Sequence, residues 1–166
     1  MYTSISDFRE DWQNEAELTL KIFEKLTDET LSVKIHPSVR TLGRLAQHLT
    51  LSISEMLGTS GVDIETPTAE DVKTLTVAGI ITDYKKFTTM VIDIIGNHYN
   101  DGNLNDEIKM YGELWKRKDV LYGLIKHQIH HRAQMTVIMR QVGLQVVGIY
   151  GPTREEWEQF KIPAEE

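Results

Sequence analysis

A cluster of histidines in the second half of the chain is the strongest chemical signal in this sequence. The segment KHQIHHRAQM, at 126–135, contains His127, His130 and His131. A neutral imidazole nitrogen is the commonest protein ligand for transition metals. Residues four apart on a helix have Cβ atoms about 6 Å apart, so His127 and His131 could converge on one ion. The alternative is one buried, hydrogen-bonded histidine beside one surface histidine.

The helix predicted over about 118–142 determines which of these histidines face inward. A helix turns about 100° per residue, which gathers the apolar residues of this segment on one face. His131 projects within that face and His127 projects at its edge, whereas His130 points toward a helix flank or solvent. The apolar face consists of Leu121, Leu124, Met135, Ile138 and Val142.

A third histidine occupies a similar position in an earlier predicted helix. His48 projects at the edge of an apolar stripe, as His127 does in its own helix. Inward-facing positions of neighbouring helices meet in a bundle. We therefore predict a metal site formed by His48, His127 and His131. Taken alone, His48 would be interpreted as a half-buried, hydrogen-bonded histidine. The stripe beside it includes Leu45, Leu49 and Met56.

Four amphipathic segments predict an all-α four-helix bundle. We expect Ser4 or Ser6 to cap the first helix, Gly58 to end the second, which follows Pro37, and Gly143 to end the fourth. The four apolar stripes run over 5–26, 39–56, 80–94 and 121–142.

The connections between the helices are long. A polar loop is predicted at 58–68, and the segment EIKMYGELW within 99–117 could form a short strand or an extended loop. Glycines and Pro152 should interrupt any helix in the tail after Gly143, and Trp157 should dock a short last turn. Because no repeat or linker divides the chain, residues 1–166 are predicted to form a single domain.

The composition excludes several classes of function. The chain has no cysteine, which removes disulfides, zinc–thiolate sites and a cysteine nucleophile. A net charge of -7 argues against a nucleic-acid partner. No apolar stretch approaches the roughly 20 residues of a membrane span, and the start does not have the pattern of a signal peptide. A cytoplasmic protein is expected.

Several motifs closely resemble those of the DinB/YfiT-like family of metal-binding proteins. They are HQIHHRAQM at 127–135, TLGRLAQHL at 41–49 and GIYGP at 148–152, and the resemblance covers nearly the whole chain. It implies a four-helix bundle in up-down-down-up order and a divalent metal on His48, His127 and His131. The sequence differs from relatives at 116–119, where Lys-Arg-Lys-Asp replaces a Thr-Arg-Gly-Glu turn. This difference leaves the start of the fourth helix uncertain.

The resemblance also implies an activity. Family members of known activity include thiol-dependent transferases and isomerases, and others are described as metal-dependent hydrolases. A small-molecule substrate, which could be a low-molecular-weight thiol, and a homodimer are therefore expected. Three imidazoles leave coordination positions open, as in catalytic rather than structural zinc sites. Zinc or nickel is favoured, while iron and manganese also accept imidazole. The alternative is a non-catalytic metal- or ligand-binding bundle.

No catalytic base is evident, so the catalytic residues are unknown from the sequence. Ser52, Glu55 and Gln134 could orient the ligands through hydrogen bonds, although ordinary polar flanks fit Glu55 and Gln134 as well. Arg132 could bind an anionic substrate group or pair with an acid. Tyr150 could line the site, but it is rather expected to pack over the end of the bundle.

Residues outside these motifs are assigned structural positions. His36 is expected on the surface, and His98 is expected at the end of the third helix, where a positive charge suits the helix dipole. Phe8 and Trp12 are expected in the core because they recur at helical spacing. A role in shaping a substrate pocket is left open for these two aromatic residues and for Trp115.

Overall fold

The secondary structure is dominated by four long helices. The computed structural model describes residues 2–65, 75–161 and Pro163. A two-stranded hairpin precedes the fourth long helix, and a short helix follows it. The elements are α1 (Ile5–Phe23), α2 (Leu42–Thr59), α3 (Val77–His98), β1 (Glu107–Met110), β2 (Glu113–Lys116), α4 (Arg117–Gln141) and α5 (Arg154–Gln159).

The four long helices pack as a bundle around one apolar core. Each of α1 and α2 packs against both α3 and α4. Phe8 and Trp12 of α1 are fully buried in this core, together with Leu49 of α2 and Leu124 of α4. The predicted four-helix bundle is confirmed, and so is the core position of Phe8 and Trp12. None of the described helices is both long and apolar enough to cross a bilayer.

Side-chain oxygens cap the beginnings of the first three long helices. Ser4, one of the two residues expected to cap α1, accepts a hydrogen bond from the backbone N–H of Asp7. Thr41 caps α2 and Thr76 caps α3 in the same way. Each such cap satisfies a backbone donor that has no partner within the helix, and it typically stabilises a protein by about 1 kcal/mol.

The boundaries of α2 differ from those predicted. Val39 precedes the helix, and Gly58 lies inside its last turn instead of ending it. The left-handed conformation that stops a helix occurs three residues later, at Gly61, with φ of 85°. Gly143, in contrast, has φ of 80° just after α4, as expected of a helix-terminating glycine.

The uncertain segment before α4 forms an antiparallel hairpin. Ile108 pairs with Trp115 and Met110 pairs with Glu113, so only two residues form the turn. These are Tyr111 and Gly112, with φ of 51° and 86°, as a type I′ turn requires. The sequence prediction allowed a strand here but did not identify the hairpin.

The hairpin also explains how α4 begins without a side-chain cap at Lys116. The backbone N–H groups of Arg117 and Lys118 donate to the carbonyl oxygens of Asp106 and Leu104, at 3.1 and 3.0 Å. These bonds satisfy two of the unpaired donors of the first helical turn. The fourth helix is therefore anchored by the preceding loop, and its start fixes where the histidines fall.

The tail after α4 is irregular up to α5, as its glycines and Pro152 predict. Thr153 caps α5 by accepting from the N–H of Glu156, and the Glu156 carboxylate accepts from the N–H of Thr153. This reciprocal capping box allows a helix of only six residues to form. Trp157 in this helix is partly buried. The loop predicted over 58–68 is described only as far as residue 65.

Candidate metal centre

The contact between α2 and α4 brings three histidines together. His48 comes from the middle of α2, and His127 and His131 come from successive turns of α4. One ring nitrogen from each lies within 4.8 Å of the other two. All three rings are partly buried. The structure thus forms the cluster that the sequence predicted, and this cluster could hold a metal ion.

A hydrogen bond fixes which nitrogen of His131 faces the cluster. Its Nδ1 lies 2.8 Å from the Oε1 of Gln134. Because an amide oxygen only accepts, Nδ1 carries the proton and Nε2 keeps its lone pair. That Nε2 lies 3.2 Å from Nε2 of His48. Gln134 therefore fixes the His131 ring with Nε2 toward the cluster, the arrangement that a partner of a metal ligand would give.

The spacing of the nitrogens is compatible with a metal site. At a zinc–nitrogen distance of about 2.0–2.1 Å, two ligands of a tetrahedral ion lie about 3.3–3.4 Å apart. The observed 3.2 Å between His48 and His131 is close to this value. Among the described residues, the buried Nδ1 of His127 has no hydrogen-bond partner. A donor set of three imidazoles with an unsatisfied nitrogen fits a divalent ion, without selecting which one.

The surroundings keep these imidazoles neutral. Burial, followed by the nearby His127 and His131, lowers the pKa of His48 to about 4. Burial and the nearby His131 lower the pKa of His127 to about 4 as well. The pKa of His131 is also lowered, mainly by burial. Neutral imidazole is the form that binds metal, so the ligands are ready at neutral pH without losing a proton.

These shifts predict a pH-dependent stability for the metal-free protein. Unfolded histidines have a pKa of 6.5, whereas His48 and His127 reach about 4 when folded. Between these values the unfolded chain binds more protons, so the free energy of unfolding falls as the pH falls. We expect a loss of about 2 kcal/mol from pH 7 to pH 4, reduced from the full shift by solvent screening. Urea unfolding after chelation measures it.

A matched variant separates this effect from general acid unfolding. His127→Gln keeps a polar side chain at the position but removes one of the shifted groups. We expect its stability to depend less steeply on pH over the same interval. Equal slopes for the variant and the parent would contradict the assignment.

A cavity opens beside the cluster. Its volume is about 600 Å³, within the usual range of small-molecule pockets, and His131 and Gln134 form part of its wall. One side of the histidine cluster therefore adjoins a space large enough for a ligand. The remaining lining residues are Ile35, Ser38, Val39, Arg40, Leu45, Val137, Ile138 and Gln141.

Two of the polar residues considered as partners of the histidines have other roles. The Glu55 carboxylate is exposed and accepts hydrogen bonds from the Tyr111 hydroxyl at 2.9 and 3.0 Å. The buried Ser52 hydroxyl donates to the Leu49 carbonyl at 3.1 Å. Glu55 thus anchors the tip of the hairpin, and Ser52 satisfies its hydroxyl within its own helix.

Arg132 pairs with an acid in the interior. Its guanidinium is 2% exposed and donates to the Glu15 carboxylate at 2.6 Å and to the Thr19 hydroxyl at 3.1 Å. It also donates to the Tyr150 hydroxyl at 2.6 Å. That hydroxyl donates in turn to the Glu15 carboxylate. The pairing alternative is the one observed, and it ties α4 to α1 and to the tail.

Tyr150 differs from its expected position. Its ring does not pack fully over the end of the bundle, because the residue is 66% exposed. Only the hydroxyl reaches inward, to Arg132 and Glu15. Burial and the Glu15 carboxylate raise the pKa of Tyr150 to about 12, so it stays protonated and can donate.

The sequence reasoning missed a buried glutamine next to a ligand. Gln128 is 0% exposed. Its Oε1 accepts from the Tyr84 hydroxyl and its Nε2 donates to the Leu49 carbonyl, both at 2.9 Å. These two hydrogen bonds fix the rotation of α4 relative to α2 and α3 at the turn that carries His127. The signal was present, since Gln128 projects within the apolar face of the helix.

The remaining histidines and Trp115 lie outside the cluster. His36 is exposed, and His98 is the last residue of α3. His130 is also exposed, as its projection predicted, but it accepts a hydrogen bond from Gln134 at 3.1 Å. The Trp115 indole, in β2, donates to Glu113. It lines a separate shallow cavity with Tyr122.

Solved structures share this architecture. A DinB-like protein from Bacillus cereus ATCC 10987 superposes with a TM-score of 0.82 at 36% sequence identity, covering 90% of this chain and all 100% of that one. A DinB-like protein from Bacillus subtilis, YjoA, gives a TM-score of 0.67 at 17% identity, covering 89% of this chain and 99% of that one. At 17% identity, the similarity to YjoA shows a shared fold and nothing further.

Sequence comparisons cover the whole chain. A curated Bacillus subtilis (strain 168) protein, the uncharacterized YrdA, is 37% identical over 165 residues, which are 99% of this chain and 98% of that protein. The family model described as the DinB family matches residues 1–166. On this match and this identity, the chain belongs to the DinB family.

Proposed function

We propose that this protein binds a divalent metal ion on His48, His127 and His131 and uses it in catalysis on a small molecule. The convergence of one nitrogen from each ring within 4.8 Å supports this proposal more than any other observation. A divalent ion held by three neutral imidazoles would act as a Lewis acid toward a bound water, thiol or carbonyl group. Zinc and nickel are the favoured ions.

The reaction class that fits best is thiol-dependent transfer or hydrolysis. Three protein ligands leave at least one coordination position for a substrate. The neighbouring cavity gives a small molecule access to the His131 side of the cluster. Gln134 holds the His131 ring in position, and burial lowers the pKa of His127 so that its imidazole stays neutral.

Metal content and turnover test the proposal in two steps. Tag-free protein should contain one divalent ion per chain by elemental analysis. The loaded protein should then release product from thiol-acceptor pairs or activated esters faster than the metal-free protein. Stoichiometric metal that raises the melting temperature, with no turnover of either substrate class, would favour the alternative of a non-catalytic metal-binding bundle.

The hydrogen bond from His131 to Gln134 should tune the affinity for metal. Gln134→Leu removes the acceptor that fixes the His131 tautomer and ring orientation. Losses of such outer partners typically weaken metal binding by about 10–100-fold, and we expect a loss in this range. Competition with a chromophoric chelator measures it.

Gln134→Glu is the matched control, since its carboxylate can still accept from Nδ1. It should retain most of the affinity. If the leucine and glutamate variants bound metal as tightly as the parent, Gln134 would have no role in orienting the ligand.

A further inference from the structure

The cavity beside the metal centre has a charge balance unlike that of the whole protein. The chain carries 25 acidic and 18 basic residues. Among the described residues that line the cavity there is no carboxylate, and Arg40 supplies the one permanent charge. The other polar groups in the wall are the Ser38 hydroxyl and the amides of Gln134 and Gln141. A cavity with this lining would favour a negatively charged ligand over a positively charged one.

Arg40 lines the cavity, as does His131 of the cluster. It lies just before Thr41, the cap of α2, and its side chain is exposed. No ion pair to Arg40 is found within the described part of the chain. As an exposed part of the cavity wall, the guanidinium could pair with an anionic ligand.

The rest of the wall is mostly aliphatic. Ile35, Val39 and Leu45 lie on the α2 side, and Val137 and Ile138 lie on α4. Val137 is 58% exposed although it is a large apolar residue. An alkyl chain lying across this surface would be stabilised because apolar area is removed from water.

We infer that this cavity binds small molecules that combine an apolar chain with a carboxylate, and that Arg40 pairs with the carboxylate. A guanidinium matches a carboxylate with two parallel hydrogen bonds, which makes arginine well suited to this recognition. The inference deepens the proposed function, on which it rests. A thiol with a carboxylate at its far end would place its sulfur toward His131 and its charge at Arg40. Acidic thiols are then preferred to neutral thiols.

Two probes that differ only in the terminal group test this specificity. Mercaptohexanoate and mercaptohexanol share the thiol and the alkyl chain, and only the former carries a carboxylate. Titration calorimetry on metal-free protein should show about tenfold tighter binding of mercaptohexanoate, the effect of one charge-assisted hydrogen-bonded pair. Arg40→Gln should remove this preference. Arg44→Gln, which removes a neighbouring positive charge outside the cavity lining, should keep it.

Three results would overturn the inference. They are equal affinity of the parent protein for the two probes, a carboxylate preference that survives Arg40→Gln, and no saturable binding of mercaptohexanoate.

An experiment on cobalt-loaded protein separates failure of this inference from failure of the proposed function, because ligation of cobalt by a thiolate gives a charge-transfer absorption band. If both thiols produce the band with equal affinity, the result supports the metal site and contradicts the role of Arg40. If neither thiol produces the band while the Arg40-dependent preference persists in metal-free protein, the result supports the role of Arg40 and contradicts thiol binding at the metal.

Discussion

We expect the His127→Ala variant to lose the divalent ion that we propose for the histidine cluster. This substitution removes one of three protein ligands and leaves two imidazoles on different helices. Since loss of a mere hydrogen-bonding partner of a ligand costs about 10–100-fold in affinity, loss of the ligand itself should cost more than about 100-fold. Elemental analysis of tag-free protein, before and after dialysis against a weak chelator, measures the change.

His130→Ala provides the control for this experiment. It removes a histidine from the same helix, three residues away, so it tests whether histidine content alone attracts metal. His130 is exposed, and among the described residues its side chain makes one hydrogen bond, which it accepts from Gln134. The variant should retain one ion per chain. Equal metal content in the two variants would show that the cluster does not form the site.

Breaking the buried ion pair should give the largest loss of stability. Arg132→Met leaves the Glu15 carboxylate in the interior without its guanidinium partner. Removing one member of a buried pair typically costs about 3–5 kcal/mol, and we expect a loss in this range for the free energy of unfolding. Urea unfolding followed by circular dichroism measures it.

Two further variants make the result specific. Arg140→Met breaks the Arg140–Glu155 pair, whose side chains are 45% and 54% exposed, against 2% and 12% for Arg132 and Glu15. An exposed pair contributes about 0–1 kcal/mol. The double variant Arg132→Met, Glu15→Leu removes both buried charges, so it should recover part of the loss. Equal costs at Arg132 and Arg140 would refute the interpretation.

The sequence determined the helices and the identity of the clustered residues. Apolar residues recur every three or four positions through α1 to α4, and this period is specific to helices. The same period placed His127 and His131 on one side of α4. Those inferences depend only on local geometry, which is why they could be made without the tertiary structure.

Some features were visible in the sequence but were not interpreted. Glu15 falls on the same stripe as Phe8, Trp12 and Thr19, so it had to be buried with a partner. Gln128 likewise interrupts the apolar face of α4. A polar residue at a core position implies a hydrogen-bonded network, since burying an unpaired polar group is costly. The sequence does not show which residue pairs with it.

Only the tertiary structure decided the contacts between segments distant in the chain. Arg132 meets Glu15 and Tyr150 because α1, α4 and the tail converge there. Arg40 and His131 share a cavity because the segment before α2 lies beside α4. Tyr111 reaches Glu55 because a type I′ turn directs the hairpin toward α2. Helical periodicity describes one element at a time, whereas these pairings depend on how the elements pack.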